Sequence, residues 1–168
     1  LAALYRQRRD PDARERVAWA FYRLGLRSEA AARALLMDVE GEDVPDSLRI
    51  SAQYALGRVS DDPLVVRTLL ANMRRGLTPL LRDKAACALT YDQIHLTEAQ
   101  RVLLFQGLIE ALDDEKLDVR AIAIKALQIR TGQTKGYHPR APVDQRRKAI
   151  EVWMRWLQAY REEWAEPP

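Results

Sequence analysis

The chain has 168 residues, and Ala (24), Leu (23) and Arg (22) dominate it against 7 Gly, 2 Phe and 1 Cys. This surplus of strong helix formers predicts an all-α fold. At 48% hydrophobic and 30% charged with a net charge of +3, the composition excludes a disordered chain, a disulfide scaffold and a membrane-spanning segment, and it argues against a metal cluster, since Cys87, His95 and His138 are the only soft ligands.

In chain order, the opening Leu1-Ala2-Ala3-Leu4 lacks both Met and a signal-peptide pattern, so it reads as a piece of a longer polypeptide with a leading remnant at 1–9. Helical periodicity and boundary residues then predict helices over 11–24, 28–39, 45–57, 62–75, 79–90, 97–112, 117–130 and 142–164. Asp10-Pro11, Asp62-Pro63 and Thr78-Pro79 each place an N-cap before a proline at the first helical position. Ser28 and Asp43 read as further caps, and Thr97-x-x-Gln100 as a capping box. Gly25, Gly57, Gly76 and Gly132 stand where helices should stop. No segment alternates with period two, so no strand is expected.

Two interleaved repeats run through these helices. Arg33-Ala34-Leu35-Leu36 returns as Arg67-Thr68-Leu69-Leu70 and as Arg101-Val102-Leu103-Leu104, each 34 residues on. Between them, Leu48-Arg49-x-x-Ala52-x-x-Ala55-Leu56 returns as Leu81-Arg82-x-x-Ala85-x-x-Ala88-Leu89 and as Val119-Arg120-x-x-Ala123-x-x-Ala126-Leu127. The alanines fall on one helix face, where small side chains let helices approach closely. Two patterns seen three times each predict an array of helix pairs.

Leu112-Asp113-Asp114-Glu115-Lys116-Leu117-Asp118-Val119-Arg120 and the helix that follows resemble a HEAT repeat, with an acidic turn ahead of a Val-Arg that opens the second helix. The tetratricopeptide family shares the 34-residue period, but its Trp-x-x-Leu-Gly-x-x-Tyr signature is absent and the prolines here begin helices. Thr131-Gly132-Gln133, Gly136-Tyr137-His138-Pro139 and Ala141-Pro142 resemble the loop of the terminal unit in bacterial HEAT-repeat proteins. The resemblance implies an α-α superhelix of about four helix pairs forming a single domain over 1–168. Its approximate units are 1–26, 28–57, 62–90 and 97–130, followed by a terminal loop at 131–141 and a capping helix at 142–164. In such arrays the arginine at Arg49, Arg82 and Arg120 typically ties neighbouring units together through acidic groups or carbonyls. The other units match less fully: Pro45-Asp46-Ser47-Leu48-Arg49 retains the pattern, the first unit keeps only its Leu24-Gly25 ending, and the match over 112–127 is the specific one.

For function, no residues cluster as an acid–base pair, a nucleophile elbow or a phosphate loop, and Cys87 sits among alanines. Neither enzymatic activity, a cofactor nor a metal is expected. Trp153, Leu157, Tyr160 and Trp164 recur at helical spacing, either as an aromatic platform for a ligand or as the apolar face by which a terminal helix is buried; burial is the favoured reading. A groove that tracks a nucleic-acid backbone needs basic side chains at one exposed position of successive units. Five residues after each motif arginine stand Tyr54, Cys87 and Lys125, which argues against nucleic acid. The charge runs net positive over 1–33 and net negative over 34–66, a polarity that suits a protein partner. The expectation is a non-catalytic protein-binding scaffold or adaptor, with Tyr54, Lys125, Tyr137, His138 and Arg140 as partner contacts and no membrane insertion. A nucleic-acid-binding array and structural support for a catalytic domain elsewhere in the chain are the alternatives. The lone cysteine fits cytosol and periplasm alike, and the cytoplasm is favoured.

Overall fold

A computed structural model describes residues 1–91 and 95–164. Every regular element among them is a helix. The chain gathers into two compact units, Leu1–Leu96 and Thr97–Pro168.

The first unit contains α1 (Ala2–Gln7), α2 (Pro11–Leu24), α3 (Glu29–Glu40), α4 (Asp46–Val59), α5 (Pro63–Arg75) and α6 (Pro79–Thr90). Asp10, Ser28, Asp62 and Thr78 each accept a backbone N–H in the first turn of the helix they precede. Such a cap contributes about 1 kcal/mol. Helix α2 packs on α4 and α4 on α6, while α3 and α5 close round α4 from other sides. The repeat alanines make this possible: Ala52, Ala55, Ala85 and Ala88 are wholly buried, and their small side chains admit close helix approach.

Three expectations fail here for physical reasons. Residues 2–7 form a helix rather than a remnant, although six residues alone could not hold one; Tyr5 anchors it, with its ring 6.1 Å from Phe21 and its hydroxyl donating to Asp38 at 2.6 Å. Asp43 caps nothing, because α4 begins only at Asp46, with Pro45 at its N-cap. Gly57 does not end a helix, because α4 runs on to Val59. Packing on four neighbours outweighs the roughly 1 kcal/mol that glycine costs within a helix.

Each second helix of a pair carries an arginine as its fourth residue. Arg49 donates to the carbonyls of Val39 at 2.9 Å and Gly41 at 2.6 Å, and Arg82 to that of Gly76 at 2.7 Å. These carbonyls end α3 and α5, where the helix dipole presents partial negative charge. At Gly76 the approach is close enough to demand glycine: a Cβ would stand 2.7 Å from the Asn72 carbonyl oxygen and 3.1 Å from Arg82 Cγ.

Arg14 is the fourth residue of α2, so the pair within residues 1–26 keeps the motif arginine that its divergent sequence conceals. It reaches a carboxylate instead. Asp38 is only 3% exposed and accepts from both Arg14 and Tyr5, which joins α1, α2 and α3. Burial first, and the bond to Asp38 second, hold the Tyr5 phenol far above its ordinary pKa.

The second unit contains α7 (Glu98–Ala111), α8 (Leu117–Thr131) and α9 (Val143–Trp164), with α7 packed against both of the others. Thr97 and Gln100 form the expected capping box. Arg120, fourth in α8, donates to the carbonyls of Asp114 at 2.8 Å and Glu115 at 2.9 Å, and also to that of Pro139 at 3.0 Å. Helix α8 stops at Gly132, whose φ of 73° lies in the left-handed region where glycine is unstrained. No helix among the described residues is long and apolar enough to cross a membrane.

Asp38→Ala should lower stability by about 2–3 kcal/mol, because it strands a half-buried guanidinium and a buried phenol; a urea-denaturation midpoint unchanged from wild type would refute that assignment. Gly76→Ala should cost about 1–3 kcal/mol, since either the helix end or Arg82 must shift. The same measurement checks it.

Candidate interaction surface

Helix α4 is so enclosed that, between Leu48 and Val59, only Arg49, Ile50, Tyr54 and Arg58 are not buried. With Arg49 turned to the carbonyls of α3, the remaining three side chains follow one another at intervals of four and form a single stripe. In α6 the unburied positions between Leu81 and Thr90 are Asp83, Lys84 and Cys87. Counted from the fourth-position arginine, Trp19, Tyr54 and Cys87 occupy the same register of α2, α4 and α6.

The packing of α2 on α4 brings the first two of these together. Trp19 stacks on Tyr54 with ring centroids 5.9 Å apart and an interplanar angle of 28°. Tyr22 closes the cluster edge-on, 5.4 Å from Trp19 and 6.0 Å from Tyr54. Arg58 covers the Tyr22 ring at 5.0 Å and donates through Nε to the Tyr22 carbonyl at 2.8 Å. All four side chains are half-buried. The cluster is therefore preorganised yet accessible, and Trp, Tyr and Arg are the residue types that carry most binding energy at protein interfaces. Sequence reasoning singled out Tyr54 but missed Trp19, Tyr22 and Arg58. Three residues forward from Pro11 would have found Arg14, and five more would have found Trp19.

The other expected contacts lie in the second unit. Lys125 is exposed on α8 at the register that Tyr54 holds in α4. Tyr137 was expected in an exposed loop; it is buried, and its hydroxyl donates to the Leu112 carbonyl at the end of α7. Two bonds hold the terminal loop down: Tyr137 donates to Leu112 at that helix end, and Arg120 of α8 donates to the loop's own Pro139 carbonyl. Burial raises the Tyr137 pKa, an effect the charges of Arg146 and Arg120 partly oppose. His138 and Arg140 stay exposed, with His138 Nδ1 accepting from the Arg140 backbone N–H at 3.3 Å.

Arg49 and Arg82 each tie the second helix of a pair to the end of the first, and Arg120 ties α8 to the turn before it and to the terminal loop. Arg14 instead joins α2 to Asp38 of the next pair. The guanidinium groups of Arg49, Arg82 and Arg120 are committed to carbonyls and form no phosphate ladder. Elsewhere, Cys87 lies 4.0 Å from an Asp83 carboxylate oxygen, and His95 Nε2 lies 3.0 Å from the Gly25 carbonyl oxygen. Among the described residues no three His, Cys, Asp or Glu side chains gather in a manner that could hold a metal ion.

Compared with known proteins, the chain matches no family model and no curated protein, so the geometry alone carries the functional reading.

Proposed function

We propose that the chain is a HEAT-like helical-repeat module that binds another protein without catalysis, acting as a scaffold or adaptor, with the face of α2, α4 and α6 as its contact surface. The observation that carries this reading is the Trp19–Tyr22–Tyr54–Arg58 cluster, in which three aromatic rings and a guanidinium are held rigid but half-open. Aromatic side chains locked by mutual stacking lose little conformational freedom on binding, so their buried area converts efficiently into affinity. The repeat architecture supports it too, since stacked helix pairs characteristically offer extended surfaces. His138 and Arg140 form a secondary, more polar contact candidate on the second unit.

The nucleic-acid reading has less support. The face mixes Asp83 with Arg58, and Arg49, Arg82 and Arg120 are spent on backbone carbonyls.

Affinity capture with the immobilised chain tests the proposal. Proteins retained by wild type should be lost with Trp19→Ala and with Tyr54→Ala, each truncation weakening binding by about 2 kcal/mol or more, while circular dichroism shows the helices intact. Tyr137→Phe should leave the retained set unchanged and lower stability by about 1 kcal/mol through an unsatisfied carbonyl. The same retained proteins on wild type and on both aromatic variants would overturn the proposal. So would micromolar binding to duplex DNA that weakens steeply with salt.

A further inference from the structure

The second unit holds an open recess of about 460 Å³ between α7, the end of α8 and the last turns of α9. Its walls are of two kinds. Phe105, Trp156, Tyr160 and Trp164 supply aromatic surface, and Arg101 and Arg130 supply cationic head groups. The rings support one another in series: Phe105 meets Trp156 edge-on at 5.1 Å and Tyr160 at 5.4 Å, and Tyr160 lies 6.3 Å from Trp164. Trp164, at the open end, is 51% exposed and so has indole surface free to stack.

The two arginines differ in how they are held. Glu98 accepts from the Tyr160 hydroxyl at 2.7 Å and pairs with Arg101 at 3.2 Å, which orients the Arg101 side chain at the rim. Arg130 has no carboxylate partner among the described residues. Its pKa is lowered by burial and, secondarily, by the charge of Arg101. The C-terminal end of α8 favours one cation at Arg130; it gives no reason for a second cation to be brought against the first. Two guanidinium groups facing one recess form the arrangement that a doubly charged oxyanion neutralises through charge-assisted hydrogen bonds. The volume falls within the range of small-molecule sites and exceeds what phosphate alone needs.

We propose that this cavity binds a nucleoside monophosphate, with Arg101 and Arg130 on the phosphate and the base stacked on the Trp156–Tyr160–Trp164 wall. The chemistry asks for both halves of the ligand. The aromatic wall gives a bare phosphate nothing, and an uncharged nucleoside leaves the arginine pair repelling. The site is independent of the face on α2, α4 and α6, so either proposal stands if the other falls.

Isothermal titration of the full chain with AMP, adenosine and inorganic phosphate separates the contributions. AMP should bind saturably, and adenosine and phosphate each at least about tenfold more weakly. Arg130→Gln should weaken AMP by about tenfold or more while leaving adenosine unchanged, and Trp164→Ala should weaken AMP and adenosine alike. Trp164 is half-exposed and Arg130 carries no ion pair among the described residues, so both variants should keep the wild-type melting temperature. No saturable binding of AMP at millimolar concentration overturns the proposal, as does adenosine or phosphate binding as tightly as AMP. An Arg130→Gln variant that binds AMP like wild type overturns it as well.

Discussion

A helix that ends inside a packed array leaves its last carbonyls turned toward a turn that must be short, and water cannot reach all of them. The fourth-position arginines resolve this constraint. A guanidinium four residues into the next helix is at the right height to bridge back over the turn, and it can serve two carbonyls at once, as Arg49 does at the end of α3 and Arg120 does within the turn before α8. Lysine, a point charge on a flexible stem, could not span them. Because the clasp fixes how each second helix leaves its turn, it sets the geometry within each pair on which the rest of the packing depends. The glycine at Gly76 is part of the same device, since a side chain there would push the arginine away.

The aromatic face follows from this arrangement. With its motif alanines buried and its arginine turned back to the carbonyls, α4 has one stripe left for solvent. Any side chain at Tyr54 must meet the corresponding residue of α2, because close alanine-mediated packing brings the two helices alongside. Trp19 and Tyr54 stack for that reason. In the second unit α9 divides its aromatic residues differently. Trp153 is buried, with its indole N–H donating to the Thr134 carbonyl at 3.2 Å, whereas Trp156, Tyr160 and Trp164 line an open cavity. The stripe is thus partly core and partly wall.

Much of the helix layout was legible in the sequence because its signals are local. Proline after Asp or Thr, the capping box, and glycine at Gly25 and Gly132 each act within one turn, and the observed boundaries lie within about two residues of the expected ones. What escaped depended on distant partners. Arg14 was hidden because residues 11–24 lack the Leu-Arg string, and its acceptor, Asp38, stands 24 residues away. Tyr137 carries no mark in the sequence that its hydroxyl will find Leu112. Gly57 shows the reverse failure: a valid local stop signal, overridden by neighbours that no local window contains. The cavity beside Arg130 was half visible: Tyr160 and Trp164 stood out as one reading of the aromatic stripe, but Arg101, Phe105 and Arg130 come from two other helices.

The enclosure of α4 has a further bearing on how such a chain can diversify. Substitutions at its buried positions would disturb several neighbours at once, but Ile50, Tyr54 and Arg58 form a stripe whose residues can change with little cost to the core. Recognition and foldability therefore draw on separate sets of positions within one helix. Sequence drift along that stripe could retarget the surface while the scaffold beneath it stays as it is.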